Sequence, residues 1–167
     1  MKKNIIRSIK KSDIESVLSI YNFHIKNSLG NFEEKKMELS KFKKIIKDIK
    51  SKKLPFIVFE NSNIIIGFAF LNNYRNKSGY RFSFENSIYV HQKYMHQGIG
   101  NKLLKSLILS SKKNKMIKNI IAVIGDSNNH SSIKIHQKNG FKKIGILKKI
   151  GFKKNKWIDS IFLQKNL

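Results

Sequence analysis

Residues 89–104 read YVHQKYMHQGIGNKLL and join a β-rich run to a helical pattern through a short polar loop. From Ile99 onward the apolar residues recur at helical spacing, and Gly98 and Gly100 stand where that helix begins. Glycine lets the backbone approach a ligand closely, and the first N–H groups of a helix lack intrahelical partners in a region that favours negative charge. The stretch therefore predicts a strand, a loop and a helix N-terminus that binds a pyrophosphate. Two glycines that only mark a loop are the alternative.

The composition predicts one folded domain over residues 1–167. Of the 167 residues, 40% are hydrophobic and twelve are Phe, which is enough apolar material for a core. No apolar run reaches the roughly 18 residues that a membrane helix needs, so we expect no transmembrane segment. The chain has no cysteine. This excludes disulfides, thiolate catalysis and cysteine metal sites, and it fits a cytoplasmic protein.

The net charge of +25, from 35 basic and 10 acidic residues, raises the hypothesis of a polyanionic partner. Only Arg7, Arg75 and Arg81 are arginines, although specific recognition of phosphates and bases favours the arginine fork. Lys, Asn and Ile are spread along the whole chain, which indicates a codon bias toward AT-rich triplets. We therefore expect neither a dedicated nucleic-acid partner nor a membrane partner.

Hydrophobic periodicity predicts an α/β fold with a mixed sheet. The pattern gives a strand, two helices, three strands, a helix, a strand, a helix and two strands, in that order. The longest strand is expected from Tyr80 to Val90. A capping box formed by Ser12 and Glu15 is predicted to start the first helix.

Acidic residues are scarce in the second half of the chain, so each one is informative. From residue 61 onward the only acids are Glu85, Asp126 and Asp159, and any carboxylate chemistry in that half must use one of them. Alternation places Ser87 on the same side of its strand as Glu85. Five histidines without cysteine give no metal-ligand spacing, so we predict no metal. Trp157 is expected in the core rather than in a pocket wall.

The order of elements and a series of motifs resemble the GNAT N-acetyltransferases, with the closest similarity to the phosphinothricin or methionine sulfoximine acetyltransferase group. The similarity covers nearly the whole chain. The residues that carry it are IYN at 20–22, YRNK at 74–77, FENSIYV at 84–90, the glycine loop, AVIGDSNN at 122–129, SI at 132–133, His136, GF at 140–141, GFK at 151–153 and WID at 157–159.

This resemblance implies a GNAT fold, a twisted and mostly antiparallel mixed sheet of about six to seven strands flanked by about four helices. It also implies acetyl-CoA as co-substrate. The cofactor-binding residues that it implies are Ile88, Tyr89, Val90, His96, Gln97, Gly98, Ile99, Gly100, Asn101 and Asn129. The strand residues would pair with the pantetheine arm, and residues 96–101 would hold the pyrophosphate through main-chain N–H groups. Met95 stands where the family has Arg or Gln, which we expect to weaken binding rather than abolish it.

The resemblance further implies two residues of catalysis. Glu85 is expected to act as the general base that removes a proton from the amine, directly or through a water. A strand-surface Glu paired with a lysine is the alternative. His136 stands where many GNAT enzymes place a tyrosine general acid, and it is expected to orient the thioester or protonate sulfur. A partly buried structural histidine is the alternative.

Four residues are predicted to contact the acceptor. Arg75 and Lys77 lie in the loop that clamps the acceptor carboxylate in the resembling group, where a guanidinium binds in a planar fork. That group has a second Arg where this chain has Lys77, which keeps the charge and loses the fork. Ser87 is a further candidate contact, and Phe32 either walls the pocket or packs under its loop. Solvated surface charge is the alternative for Arg75 and Lys77.

These observations predict an acetyl-CoA-dependent N-acetyltransferase that acts on the α-amine of a small amino-acid-like substrate of the phosphinothricin or methionine sulfoximine/sulfone type. Direct transfer without an acyl-enzyme is expected, and the resemblance implies a homodimer. A GNAT enzyme that acts on a protein N-terminus or lysine is one alternative. A basic RNA-binding module on a GNAT-like fold is another.

Overall fold

The computed structural model describes residues 4–167 and arranges them as one seven-stranded sheet with four α-helices. The strands are β1 (Asn4–Ser8), β2 (Phe56–Asn61), β3 (Ile64–Asn73), β4 (Ser83–Val90), β5 (Asn119–Gly125), β6 (Lys142–Lys153) and β7 (Lys156–Asn166). The helices are α1 (Ile14–Asn27), α2 (Leu39–Ser51), α3 (Ile99–Ser111) and α4 (His130–Lys138). The predicted element order and the mixed α/β class are confirmed. In this range of residues, no helix combines the length and the apolar character that a membrane crossing requires.

The sheet has the order β1-β2-β3-β4-β5-β7-β6, and its neighbours are antiparallel except for β4 and β5. The parallel pair is held at only three positions, from Ser83 opposite Asn119 to Glu85 opposite Ile121. Beyond Glu85 the two strands part, although β4 continues to Val90 and β5 to Gly125. The centre of the sheet therefore opens into a gap beside β4, the strand that carries the predicted site residues Glu85, Ser87, Ile88, Tyr89 and Val90.

Helices cover both faces of the sheet. On β4, Tyr89 packs against Tyr21 of α1 with ring centroids 5.0 Å apart. Its neighbour Val90 lies beside Gly100 of α3. Because successive side chains of a strand point to opposite faces, α1 and α3 lie on opposite sides of the sheet. The buried residues on these faces, Phe68 and Leu103 among them, form one hydrophobic core.

Two predictions about the ends of elements are wrong. Strand β4 begins at Ser83 rather than Tyr80, because residues Ser78–Tyr80 form a 3₁₀ turn whose backbone bonds close locally. The longest strand is β6, with 12 residues. The capping box of Ser12 with Glu15 is absent. Instead the Asp13 carboxylate accepts the Lys10 N–H at 2.7 Å and forms an ion pair with Arg7.

Trp157 does not lie in the core. It is 64% exposed beside the turn between β6 and β7, where its ring contacts Phe152 with centroids 5.2 Å apart. Strand β6 is the edge of the sheet, so no further strand of residues 4–167 lies beyond it. The large area of an indole predicts burial on average, but its position at an uncovered edge decides the outcome here.

Candidate active site

A cleft of about 1050 Å³ follows the gap between β4 and β5. Its walls come from the second half of β4, the loop and first turn of α3, the end of β5, the first turns of α4 and the segment after α1. The gap is a consequence of the short parallel pairing, since backbone groups past Glu85 and Ile121 no longer bond across it. A strand with unpaired backbone groups is open to pairing with an extended ligand.

The N-terminus of α3 opens on this cleft. Gly98 is its N-cap residue and has φ of +76°, a left-handed conformation that favours glycine. No side chain caps the helix, and its first turn carries no acidic residue. A Cβ at Gly98 would meet no atom within 4 Å, so the backbone faces open space. The N–H groups of this turn are therefore arranged in a way that suits an anion.

Most residues that were predicted to bind a cofactor line this cleft. They are Ile88, Tyr89, Val90, His96, Gly98, Ile99, Gly100, Asn101 and Asn129. Gln97 is the exception: its exposed side chain turns back and donates a hydrogen bond to the Lys93 carbonyl at 3.4 Å. Asn129 accepts the Ser132 N–H at 3.3 Å and so caps α4. The side chain that fixes the start of α4 thus also faces the cleft.

Glu85 lies in the cleft where β4 leaves β5, and its carboxyl group is largely buried. Burial raises the pKa of Glu85 to about 7, and the nearby positive charge of Arg75 opposes this shift. Desolvation disfavours the ionised carboxylate, whereas an opposite charge favours it. At neutral pH the group is therefore divided between its acid and base forms, the condition that suits a general base.

His136 is buried on the α4 side of the cleft and is held by two hydrogen bonds. Its Nδ1 lies 2.7 Å from the Ser132 carbonyl oxygen, and its Nε2 lies 2.9 Å from the Asn86 side-chain nitrogen. A carbonyl can only accept, so Nδ1 carries the proton and Nε2 accepts from Asn86. Burial lowers the pKa of His136, which favours this neutral form. The imidazole is therefore oriented firmly, and both of its nitrogens are engaged.

The segment after α1 closes the opposite wall of the cleft. Asn31 donates a hydrogen bond to the Tyr89 hydroxyl at 3.2 Å, and Phe32 lies over the glycine at position 151. Phe32 remains 38% exposed and lines the cleft. Ser87 also lines the cleft. Phe32 thus belongs to the cleft wall while its ring also packs on β6. Burial raises the pKa of Tyr21, which also lines the cleft, so this phenol is neutral at physiological pH.

Arg75 and Lys77 are both exposed and do not line the cleft. The Arg75 guanidinium lies over the Tyr74 ring, 5.3 Å from its centroid. Its positive charge still lowers the pKa of Glu85. In this arrangement the loop has not formed a carboxylate clamp, and the acceptor role of the two residues stays a prediction.

A model of the acetyltransferase (GNAT) domain matches residues 6–162 of the chain. The chain belongs to the GNAT acetyltransferase family. A phosphinothricin N-acetyltransferase of Alcaligenes faecalis is 32% identical over 162 residues, which cover 97% of this chain and 82% of that protein. The crystal structure of a ribosomal-protein-alanine N-acetyltransferase from Brucella melitensis superposes with a TM-score of 0.93 and 31% identity, over 98% of this chain and 99% of that one.

A third neighbour of this GNAT acetyltransferase is the phosphinothricin acetyltransferase from Sinorhizobium meliloti, crystallised in complex with acetyl-CoA. It superposes with a TM-score of 0.91 and 30% identity, over 98% of this chain and 88% of that one. GNAT acetyltransferases use acetyl-CoA as acyl donor. Within residues 4–167, no group of three or more His, Asp and Glu side chains is arranged to hold a metal ion.

Four residues of the GNAT site escaped the sequence analysis. His24 bonds through Nε2 to the Val90 carbonyl at 2.8 Å, and Asn31 bonds to Tyr89. Asn86 holds His136, and the buried Lys153 binds three backbone carbonyls at the end of α1 and in the loop that follows. All four act across elements far apart in sequence. Only Asn86 carried a signal, because it is a polar residue at an inward position of a strand.

Proposed function

We propose that this GNAT enzyme is an acetyl-CoA-dependent N-acetyltransferase that acts on the α-amine of a small amino-acid-like acceptor of the phosphinothricin or methionine sulfoximine/sulfone type. The observation that carries the proposal is the position of Glu85. Its carboxyl group, with a pKa of about 7, lies in the same cleft as the uncapped N-terminus of α3. One end of the cleft thus suits a pyrophosphate, and the other holds a base.

The residues along the cleft fit acetyl-CoA. The N–H groups of Ile99, Gly100 and Asn101 suit the pyrophosphate because they begin a helix without a capping side chain. The backbone of β4 from Ser87 to Val90 faces the gap and suits the amide-containing arm. When bound, acetyl-CoA supplies an acetyl thioester whose acetyl group is transferred to an amine.

Glu85 provides the proton acceptor that this transfer needs. An amine attacks only through its free lone pair, and an α-ammonium group must first lose a proton. The Glu85 carboxylate takes that proton, and the free amine attacks the thioester carbonyl. The amide C–N bond forms as the thioester C–S bond breaks, and the second proton that leaves the nitrogen is taken up by the departing CoA thiolate, which leaves as the thiol. A base with a pKa near 7 is ionised often enough at neutral pH and still binds the proton it receives.

The charges around the cleft favour a zwitterionic acceptor. Among the residues that line it, Glu33 and Glu85 carry carboxylates and no lysine or arginine is present, in a protein of net charge +25. An ammonium group is therefore attracted into the cleft and repelled by the surface around it. Arg75 and Lys77 outside the cleft suit the carboxylate of the same molecule. An amino acid carries both an ammonium group and a carboxylate.

A GNAT enzyme for protein N-termini is the second candidate. The Brucella melitensis neighbour is described as a ribosomal-protein-alanine N-acetyltransferase, and the absence of Arg75 from the cleft wall leaves the mouth open for a peptide. A lysine side chain is a further acceptor of this kind. The charge of +25 also keeps RNA binding as an outcome to be tested.

The proposal includes a homodimer and a cytoplasmic location. Support for the dimer comes from a surface that we call the edge patch, formed by exposed apolar side chains of β6 and the start of β7. Its members are Ile144, Leu147, Ile150, Phe152 and Trp157. Apolar side chains concentrated on one edge of a sheet are typical of a contact surface. The cytoplasmic location rests on the cysteine-free sequence.

A thiol-release assay with acetyl-CoA tests the proposal. The acceptors are phosphinothricin, methionine sulfoximine, methionine sulfone, plain amino acids and an N-terminal peptide. The Glu85→Gln variant is assayed beside Glu15→Gln, a matched change at an exposed glutamate of α1. We expect turnover of the amino-acid analogues that is lost in Glu85→Gln and retained in Glu15→Gln. Turnover of the peptide alone would support the second candidate. Absence of both turnover and acetyl-CoA binding would overturn the enzyme proposal, and RNA binding would be the remaining hypothesis.

A further inference from the structure

Asn86 combines burial with an unpaired polar atom in the cleft. It is 7% exposed and is the first residue of β4 beyond the three positions paired with β5. Its side-chain nitrogen bonds to His136 Nε2, but its side-chain oxygen Oδ1 has no hydrogen-bond partner. A buried carbonyl oxygen without a partner costs free energy, and such atoms are rare in folded proteins. Asn86 also lines the cleft.

The orientation of the Asn86 carboxamide follows from its neighbours. The Ser132 carbonyl accepts from His136 Nδ1, so His136 Nε2 has a lone pair and requires a donor. Only the NH₂ group of Asn86 meets that requirement. The oxygen must therefore point away from His136. This arrangement presents a fixed acceptor at the place where the two strands part.

The partner of this oxygen must be an N–H or O–H group. A thioester carbonyl, a sulfur atom and a phosphate are acceptors, and they do not fit an amide oxygen. Glu85 and Asn86 are adjacent on β4 and so point to opposite faces of the sheet. Glu85 faces the α1 side with Tyr89, whereas Asn86 faces α4 on the side of the α3 N-terminus. Because Glu85 is the proposed base for the acceptor amine, the acyl donor is the ligand that remains to bind Asn86.

We propose that Asn86 Oδ1 accepts a hydrogen bond from the amide N–H nearest the sulfur of acetyl-CoA, and that His136 is a positioning residue that holds Asn86 in this orientation. The choice of amide follows from the geometry of β4. The anion site at α3 follows the Val90 end of the strand, and Asn86 lies toward its other end, so the part of the arm beside Asn86 is the part near the acetyl group. The inference rests on the proposed function, because it requires acetyl-CoA in the cleft.

Calorimetry with two analogues tests this inference without enzyme turnover. In each analogue one of the two amide N–H groups of the arm is replaced by an ester oxygen. We expect wild-type protein to bind acetyl-CoA roughly tenfold more tightly than the analogue altered next to the sulfur. The Asn86→Leu variant should lose this preference. The preference at the other amide should be the same in both proteins, which serves as an internal control.

Variants of His136 separate positioning from proton donation. His136→Gln keeps an acceptor for the Asn86 NH₂ group and should keep the preference, whereas His136→Leu should lose it. Nitrogen NMR of the imidazole should report the neutral Nδ1–H form with and without CoA. This spectrum also tests the proposed orientation of Asn86 if the Asn86→Leu variant fails to fold. A proton on His136 Nε2 would contradict that orientation.

The outcomes separate the Asn86 contact from the proposed function. Equal preference for the amide in wild type and in Asn86→Leu overturns the Asn86 contact and leaves the proposed function intact. Failure of wild-type protein to bind acetyl-CoA overturns the proposed function and this inference with it.

Discussion

The Lys153 ammonium group donates a hydrogen bond of 2.8 Å to the Ile25 carbonyl, which joins the end of β6 to the last turn of α1. The same nitrogen binds the carbonyls of Ser28 and Asn31, so one buried lysine satisfies three backbone acceptors. The last carbonyls of a helix lack intrahelical donors, and a cation is favourable there. Lys153 thereby fixes the segment that carries Asn31 and Phe32 into the cleft.

Replacement of Lys153 by Met should destabilise the protein and disturb the acceptor side of the cleft. Two buried carbonyls and one partly buried carbonyl would lose their donor, which costs about 2–4 kcal/mol in the free energy of unfolding. Urea unfolding measures this loss. We also expect a higher KM for the acceptor with little change in the KM for acetyl-CoA. Lys154→Met alters the exposed neighbour and is the control. A loss of stability equal in both variants would contradict the role of Lys153.

The activity should depend on the ionisation of Glu85. A base acts in its unprotonated form, so kcat/KM should fall as the pH decreases through about 7, the pKa of this group in the folded protein. Glu85→Gln should lose roughly 10²–10⁴-fold in kcat and no longer show this limb of the profile. Initial rates across the pH range measure both effects. A wild-type profile with no change near pH 7 would argue against Glu85 as the base.

Arg75 should tune that profile even though it lies outside the cleft. Its charge lowers the pKa of Glu85, so removal of the charge in Arg75→Gln should move the acidic limb to higher pH. Arg81→Gln removes a nearby exposed arginine that does not act on Glu85 and should leave the limb in place. If Arg75 also binds the acceptor carboxylate, the KM for amino-acid acceptors should rise while that for an amine without a carboxylate stays constant.

The same carboxyl group should make the folded protein less stable as the pH rises. The folded state keeps the Glu85 proton up to about pH 7, whereas the unfolded chain releases it near the ordinary pKa of 4.5. Between these values the folded state binds more protons, so its stability decreases with increasing pH. The Glu85→Gln variant has no carboxyl group to titrate at this position, so it does not lose stability in this way. Its advantage in the free energy of unfolding should grow by about 2 kcal/mol between pH 5 and pH 8.

Urea unfolding of both proteins at the two pH values measures this difference, with Glu15→Gln as the control. An advantage of Glu85→Gln that did not change with pH would indicate that the pKa of Glu85 is not raised in the folded state.

Local patterns predicted the elements of this fold well, and contacts between distant segments explain what they missed. The periodicity after Ile99 and the glycines before it indicated the helix N-terminus that the structure has. The scarcity of acids limited the carboxylate candidates in the second half of the chain to Glu85, Asp126 and Asp159, and the resemblance to the GNAT family selected Glu85. The hydrogen bond between Asn86 and His136 joins residues 50 positions apart, and no pattern along the chain records such a pair. Trp157 was misplaced for the same reason, because residue type alone does not show which sheet edge is left uncovered.

Trp157 should lie at the interface of the proposed homodimer. It is the most exposed member of the edge patch and contacts Phe152, so the pair presents a large apolar area at the end of the β6–β7 hairpin. Burial of an aromatic side chain stabilises an interface, whereas an unpaired carboxylate in its place must lose water without compensation. Trp157→Glu should therefore convert a dimer to a monomer with the fold retained. Light scattering coupled to gel filtration measures the mass, and circular dichroism checks the fold. Ile64→Glu, at an exposed isoleucine outside the patch, is the matched control and should remain dimeric. A wild-type protein that is monomeric across the concentrations tested would rule out this use of the edge patch.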